Sequence, residues 1–198
     1  MMRVILASKS PRRREILQTL GVRFEVVSAD ADETSSITAP VNLVCELALR
    51  KGRATRDLLR ARGEWNDDTV VIAADTVVAV DGKILGKPHS DAEAAEMLRL
   101  LAGRDHFVVS GAALFAGDKY AVTFDKTAVS FAPMTENEID RYVQSGEPRD
   151  KAGAYAVQGL ASLWIRGLTG DYFNVVGLPV FRLNALCKDL LGRSLLDL

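Results

Sequence analysis

Apolar runs of strand length alternate with amphipathic runs of helix length along most of this chain. The run "VILAS" comes before one helix-like segment, and "FEVVS" comes after it. Such alternation is typical of α/β proteins, in which helices cover the faces of a sheet. Hairpin-like patterns replace the helices in the second half. We therefore predict a mixed β-sheet flanked by helices, in an elongated, two-lobed architecture with a central cleft.

Capping residues set the expected boundaries of the helices. The first helix should begin after Ser10, which is a good N-cap and comes before a proline. Ser90 with Glu93, and Thr135 with Glu138, have the spacing of a capping box. The predicted helices cover residues 11–21, 40–62, 91–103, 136–146 and 179–191.

Turn residues separate the remaining strand-like runs. Asp81 and Gly82 form a two-residue hairpin signal after "TVVIAADTVVAV". The runs "HFVVSGAALFAG" and "KYAVTFDKTAVSF" predict two long strands on either side of Gly117 and Asp118. Three short strands are expected further on, around "GAYAVQG", "SLWIRG" and "YFNVVG".

The composition is that of an ordinary globular protein. Of the 198 residues, 48% are hydrophobic and 26% are charged, so we predict a single domain over residues 1–198. The formal net charge of -1 gives no basis for binding nucleic acid. No apolar run approaches the ~20 residues of a membrane-spanning helix, and "MMRVILASKS" fits a buried strand better than a signal peptide. Cys45 and Cys187 favour free thiols over a disulfide, so we expect a cytoplasmic protein.

Three consecutive arginines, Arg12 to Arg14, occupy the first turn of the first predicted helix. A helix N-terminus attracts anions, so cations there destabilise the helix unless an anion joins them. Guanidinium groups suit phosphate oxygens, and Ser8 and Ser10 add hydroxyl donors. The pattern favours a polyphosphate site, with Arg14 expected to be exposed because three consecutive residues cannot share one face. Arginines paired with nearby carboxylates are the alternative.

Two carboxylates follow predicted strands. Asp75 ends the buried run "VVIAAD", so we expect it at the C-terminal end of a strand, where open α/β sheets place their ligands. Glu33 lies in the acidic loop after the second predicted strand. Oxygen ligands of this kind suit Mg²⁺ or Mn²⁺. Asp75 is therefore expected to bind a metal or to activate water, and a structural acid in a turn is the alternative.

Two lysines and one glutamine are further candidates for a ligand-binding site. Lys87 in "GKP" suits a phosphate contact, although a lone lysine is most often solvated. Lys51 is expected on the long helix, on a side that faces the cleft. Gln158 carries a donor and an acceptor, which suits a nucleobase edge, but the residues alone favour a buried glutamine that satisfies a loop. His89 and His106 are the only histidines, which argues against a histidine zinc site and a Ser-His-Asp triad.

Several motifs together resemble one known family. The segments "SKSPRRREIL", "AADTVV", "GKP", "DKAGAYAVQG" and "GDYFNVVGLP" occur in the order and approximate spacing of the Maf family of nucleoside triphosphate pyrophosphatases, also known as septum-formation inhibitors. The resemblance spans about residues 4–190. The last two segments look like the subfamily that hydrolyses dTTP and UTP. The resemblance implies an ITPase-like α/β architecture, and modified pyrimidine nucleotides as further substrates.

The resemblance also implies a reaction and a set of roles. Water would attack the α-phosphate in the presence of Mg²⁺ or Mn²⁺ and release the nucleoside monophosphate and pyrophosphate. Asp75 matches the proton acceptor and, with Glu33, the metal ligands. The positions linked to base specificity are Arg12, Thr76 and Gln158. The positions in the phosphate and metal region are Ser8, Ser10, Arg13, Glu33, Lys51 and Lys87.

Alternatives to this function remain open. The same chemistry could act on 7-methyl-GTP, or the chain could be a non-catalytic nucleotide-binding regulator of septum formation. The resemblance also implies that a homodimer is plausible. One departure concerns Lys51, since Gly52 stands where alanine is expected in such a helix and weakens that helix by ~1 kcal/mol.

Overall fold

A mixed sheet of seven strands runs through residues 2–198, the part of the chain that the computed structural model describes. Its strands are β1 (Arg3–Leu6), β2 (Glu25–Val26), β3 (Thr69–Val80), β4 (Lys83–Leu85), β5 (Asp105–Ala116), β6 (Lys119–Phe131) and β7 (Ile165–Thr169). Their order is β2-β1-β3-β5-β6-β7, with β4 paired to β3. Strand β1 is parallel to β2 and β3, whereas β4 and β7 pair antiparallel with β3 and β6. The predicted mixed α/β class is confirmed.

Five of the α-helices lie where capping residues predict them. The helices are α1 (Pro11–Thr19), α2 (Pro40–Ala61), α3 (Asp91–Leu101), α4 (Glu136–Gln144), α5 (Tyr172–Val176) and α6 (Val180–Leu191). Thr135 and Glu138 form the complete capping box of α4. At α3, Ser90 caps as predicted, but the Glu93 carboxylate accepts from the backbone of His89. None of the helices in the described chain is both long and apolar enough to cross a membrane.

The chain divides into two compact units. The first unit contains the residues up to Asp75, together with 110–125 and 177–198. The second unit contains residues 76–109 and 126–176. The single domain over residues 1–198 and its central cleft stay predictions.

In the first unit, helix α2 packs very closely on strand β5. A side chain at Gly111 of β5 would bring its Cβ to 2.6 Å from the carbonyl oxygen of Val44 on α2. A Cβ at Gly52 of α2 would overlap the ring of Phe115 on β5. Glycine at both positions therefore permits the close approach of helix and sheet, and this contact explains why alanine is absent after Lys51.

The core of the second unit is built by α3, α4 and the adjoining strands. Leu98 and Leu101 of α3 pack with Phe131 of β6 and Ile139 of α4, all nearly or fully buried. The hairpin predicted at Asp81 and Gly82 is confirmed: φ is positive at both residues, and Val80 pairs with Lys83. This combination is typical of a two-residue type I′ turn.

Two of the three short strands predicted after α4 are wrong. "YFNVV" forms helix α5, and within it the fully buried Asn174 amide donates to Val108 O and Thr127 Oγ1. "GAYAVQG" forms turns, with positive φ at Gly153 and Ala154. Only the strand expected around "SLWIRG" is present, as β7.

Candidate active site

A lysine joins two carboxylates in the first unit. Lys51 Nζ of α2 lies 2.6 Å from Asp75 Oδ1 of β3 and 3.2 Å from Glu33 Oε2. The side chains of Lys51 and Asp75 are 17% and 11% exposed, whereas that of Glu33 is 63% exposed. The group therefore holds one ammonium between a buried carboxylate and an accessible one.

The predicted place of Asp75 at the end of a strand is wrong. Strand β3 continues through Asp75 to Val80. It pairs with β1 over residues 69–72 and with β4 over residues 78–80, so Asp75 lies between the two ladders. The strand continues through the polar Asp-Thr pair into the β3–β4 hairpin, so this polar pair does not mark the end of a strand.

Helix α2 also holds the loop that carries Glu33. Arg50 Nη1 donates to the carbonyl oxygens of Asp32 and Thr34 at 3.3 and 2.8 Å, on either side of Glu33. Arg50 Nε donates to Glu46 at 2.8 Å, one helical turn earlier. Sequence analysis missed Arg50, although a glutamate four residues before an arginine is a recognisable helix-pair signal. Neighbouring residues of α2 thus position both carboxylates.

Arg13 of α1 is fixed by two hydrogen bonds at a second point of the same unit. Its Nε donates to Gly177 O at 2.8 Å, and its Nη1 donates to Ser8 Oγ at 3.0 Å. Burial lowers the pKa of the Arg13 guanidinium, and the Asp75 carboxylate opposes this shift. Asp75 is therefore among the charges that act on Arg13 within the unit.

The other residues of the arginine segment differ in their surroundings. Ser8 is buried, and its Oγ also accepts from Ser10 N at 3.2 Å. Ser10 is the N-cap of α1, but its side chain makes no capping hydrogen bond. Arg12 is half-buried, and Arg14 is exposed as predicted.

Three predicted site residues belong to the second unit. Thr76 follows Asp75 in β3 and is half-buried. Lys87 is exposed after the β3–β4 hairpin. Gln158 is exposed in a turn, so the buried glutamine favoured from the residues alone is wrong. That Thr76, Lys87 and Gln158 join the Asp75 group in one site stays a prediction.

The residues around Lys51 suit a divalent cation that is bound jointly by the protein and by the phosphates of a ligand. Among residues 2–198, no three His, Cys, Asp or Glu side chains form a cluster suited to a metal ion. Glu33 and Asp75 supply two carboxylates, both of which contact Lys51 Nζ. Mg²⁺ usually takes only one or two carboxylates and completes its shell with water and substrate phosphates. The pair therefore suits a shared metal rather than a metal held by protein alone.

Comparison with known proteins gives a consistent set of relatives. The family model described as Maf-like protein matches residues 3–190. A dTTP/UTP pyrophosphatase of Bacillus cereus (strain AH820) is 46% identical over 92% of this chain and 93% of its own length. A dTTP/UTP pyrophosphatase of Bacillus anthracis has the same identity and coverage.

The structural comparison is weaker. The Staphylococcus aureus Ham1 protein aligns with a TM-score of 0.47 and 19% identity, over 66% of this chain and 72% of that one.

Proposed function

Because the chain belongs to the Maf family, we propose that it hydrolyses dTTP and UTP to the nucleoside monophosphate and pyrophosphate. The observation that carries the proposal is the group formed by Lys51, Asp75 and Glu33, with Arg13 and Ser8 in the same unit. A buried carboxylate beside cations suits the attack of water on a phosphoanhydride, because the carboxylate can accept the proton and the cations stabilise the developing charge. The names of the 46% identical relatives support the choice of dTTP and UTP.

Asp75 acts as the general base in this mechanism. Its carboxylate accepts a proton from water while the water oxygen forms a bond to the α-phosphorus. The bond from that phosphorus to the bridging oxygen of the β-phosphate breaks, and pyrophosphate leaves with the electron pair. Lys51 holds Asp75 in place through the 2.6 Å contact and exchanges this contact for the charge of the phosphates when the nucleotide binds.

Cationic side chains stabilise the charge that develops on the phosphates, and a bound metal would add to this effect. Arg13 presents a guanidinium whose orientation is fixed by Gly177 and Ser8, so little reorganisation is needed during the reaction. Lys87 adds a flexible point charge. Glu33 and Asp75 would hold Mg²⁺ or Mn²⁺, which would polarise the phosphate and orient water.

Arg12, Thr76 and Gln158 recognise the base. Uracil and thymine both present two carbonyl acceptors and one N–H donor on the ring. The Gln158 amide has a donor and an acceptor that match this edge. Its exposed position at a turn supports a role in binding rather than in filling a core.

The cellular location and the assembly of the enzyme complete the proposal. Cys45 and Cys187 are free thiols, which suits a reducing cytoplasm. A homodimer and a separate role in septum formation are implied only by the family resemblance.

Pyrophosphate and orthophosphate release from UTP, dTTP and 7-methyl-GTP, with Mg²⁺ or Mn²⁺, tests the function. We expect pyrophosphate from UTP and dTTP, and a loss of about 10²–10⁴-fold in rate for Asp75→Asn. The matched control is Asp68→Asn, which changes an exposed acid just before the same strand.

Three other results would reject the proposal. Orthophosphate in place of pyrophosphate would move the attack to the γ-phosphate. Faster turnover of 7-methyl-GTP would change the substrate. Binding of nucleotides without turnover would support the non-catalytic regulator.

A further inference from the structure

A phenol and a carboxylate in the second unit hold both ends of the turn that carries Gln158. The turn runs from Ala156 to Gly159 and is closed by a hydrogen bond of 3.2 Å from Gly159 N to Ala156 O. Gln158 is the third of its four residues. A turn of four exposed or half-exposed residues has few contacts of its own, so its position depends on the groups that flank it.

Tyr142 of α4 holds the start of the turn. Its Oη accepts from Ala156 N at 3.3 Å and donates to Glu147 Oε1 at 2.7 Å. The Tyr142 side chain is almost completely buried, and its ring packs against Trp164 with ring centroids 5.7 Å apart. Burial, together with the hydrogen bond to Glu147, raises the pKa of Tyr142, so the phenol keeps its proton.

Glu147 holds the end of the turn. Its Oε2 accepts from Leu160 N at 2.9 Å, and its Oε1 accepts from Ala161 N at 3.4 Å. A Cβ at Gly159 would overlap the Glu147 carboxylate, so the absence of a side chain lets the turn lie against it. Tyr142 and Glu147 therefore form one connected hydrogen-bonded pair that reaches both flanks of the turn.

We propose that Tyr142 and Glu147 are positioning residues for base recognition, which they control by fixing the turn that presents Gln158. The inference rests on the proposed function, in which Gln158 contacts the base. Tyr142 and Glu147 do not need to touch the nucleotide. The chemistry of the two groups suits this role. A carboxylate can accept three hydrogen bonds at once, and a protonated phenol can accept one hydrogen bond while it donates another. This lets two side chains satisfy three backbone N–H groups and one hydroxyl.

The kinetic test separates binding of the base from binding of the phosphates. Tyr142→Phe and Glu147→Ala should each raise KM for UTP about tenfold, which is the effect of losing a hydrogen-bonded positioning contact. The inhibition constant of pyrophosphate, which has no base, should stay as in the wild type. Glu147→Gln keeps one acceptor oxygen and should give an intermediate KM. Equal changes in both constants, or no change in KM, would overturn the inference.

A double variant identifies Gln158 as the group that is positioned. In the Gln158→Ala background, Tyr142→Phe should raise KM for UTP by less than twofold, because the side chain whose position it controls is absent. Additive effects would contradict the proposal. Glu138→Gln is the matched control: Glu138 also belongs to α4 and accepts from Trp164, but it caps the helix and does not contact the turn. It should lower stability and leave KM for UTP unchanged.

Hydrogen exchange makes the test independent of turnover. In Tyr142→Phe and Glu147→Ala, the amides of residues 156–161 should exchange faster than in the wild type, while those of α3 should not. Unchanged exchange over residues 156–161 would overturn the positioning role even if KM changed. A wild type that releases no pyrophosphate from UTP would instead reject the proposed function, and the exchange result would still decide whether the pair holds the turn.

Discussion

Lys51 Nζ lies 2.6 Å from Asp75 Oδ1, and Gly52, the next residue, lies against the ring of Phe115. The two contacts depend on each other, because a larger residue at position 52 would push α2 away from β5. The lysine could not then keep its distance to the carboxylate. The packing of a helix on a sheet thus determines the geometry of a charged pair.

Replacing Lys51 by methionine should lower the free energy of unfolding by about 2–4 kcal/mol, because a mostly buried carboxylate loses its cation. Urea unfolding at pH 7 measures the change. Arg53→Met is the matched control, since it removes an exposed cation from the same helix and should cost less than about 0.5 kcal/mol. Equal losses for the two variants would contradict the role of the Lys51–Asp75 pair.

Arg13→Lys should raise KM for UTP about tenfold and destabilise the protein by about 1–2 kcal/mol, because a lysine cannot keep both hydrogen bonds of the guanidinium. Gly177 O and Ser8 Oγ would lose their donor. The same substitution at the exposed Arg14 should change neither quantity. A KM that remains at the wild-type value in Arg13→Lys would remove Arg13 from the phosphate site.

Gly52→Ala should be destabilising by about 1–3 kcal/mol, even though alanine is the better helix former by ~1 kcal/mol. The new Cβ would overlap the Phe115 ring. Phe115→Leu in the same chain should recover part of the loss, because it removes the overlapping atoms. Gly167→Ala on β7 is the control, since no atom lies within 4 Å of its Cβ position. If Gly52→Ala stabilised the protein, the close packing of α2 on β5 would be wrong.

Acid should destabilise the second unit through His106. His106 is 1% exposed, its Nε2 lies 2.7 Å from Tyr155 Oη, and its Nδ1 has no partner within residues 2–198. Burial lowers the pKa of His106 from 6.5 to about 4, although the charge of Asp105 opposes the shift. The unfolded chain therefore binds the proton more readily, and stability falls as the pH drops from 6.5 to about 4.

The difference between the pKa values of His106 in the unfolded and folded chain corresponds to a loss of about 3 kcal/mol in the free energy of unfolding between neutral and strongly acid conditions. Urea unfolding at pH 7, 5.5 and 4 should show it, and His106→Gln should remove this part of the pH dependence. His89→Gln, at the exposed histidine, should retain the wild-type dependence. Parallel pH profiles for wild type and His106→Gln would contradict the prediction.

Local signals in the sequence were sufficient for the elements with strong caps or turns. Thr135, Glu138, Asp81 and Gly82 act within a few residues of themselves, and the structure agrees with each of them. Helix α5 could not be predicted in this way, because the buried Asn174 has its partners in β5 and β6. The misplacement of Asp75 has a different cause, since the polar Asp75-Thr76 pair resembles a strand end but β3 continues through it into the hairpin with β4.

In the candidate site, too, some features could be predicted from local signals and others depend on residues that are distant in sequence. The arginine run and the place of Asp75 after a buried run were sufficient to suggest phosphate and metal chemistry, whereas Lys51 joined the candidates through the family resemblance. The need for Gly52 could not be seen, because it comes from a ring that is 63 residues away in sequence (115 - 52). Tyr142 and Glu147 gave no signal either, because the backbone N–H groups that they hold belong to residues 156, 160 and 161.

Ser8 has a property that follows directly from its contacts. Its Oγ accepts hydrogens from Ser10 N and Arg13 Nη1, so both lone pairs of the hydroxyl are used. Only its own hydrogen remains to be offered. A serine hydroxyl can usually both donate and accept hydrogen bonds, but the Ser8 hydroxyl can only donate one more. The fold has therefore left this hydroxyl a donor only, so Ser8 has a hydrogen for an anionic oxygen but no free lone pair for an ammonium.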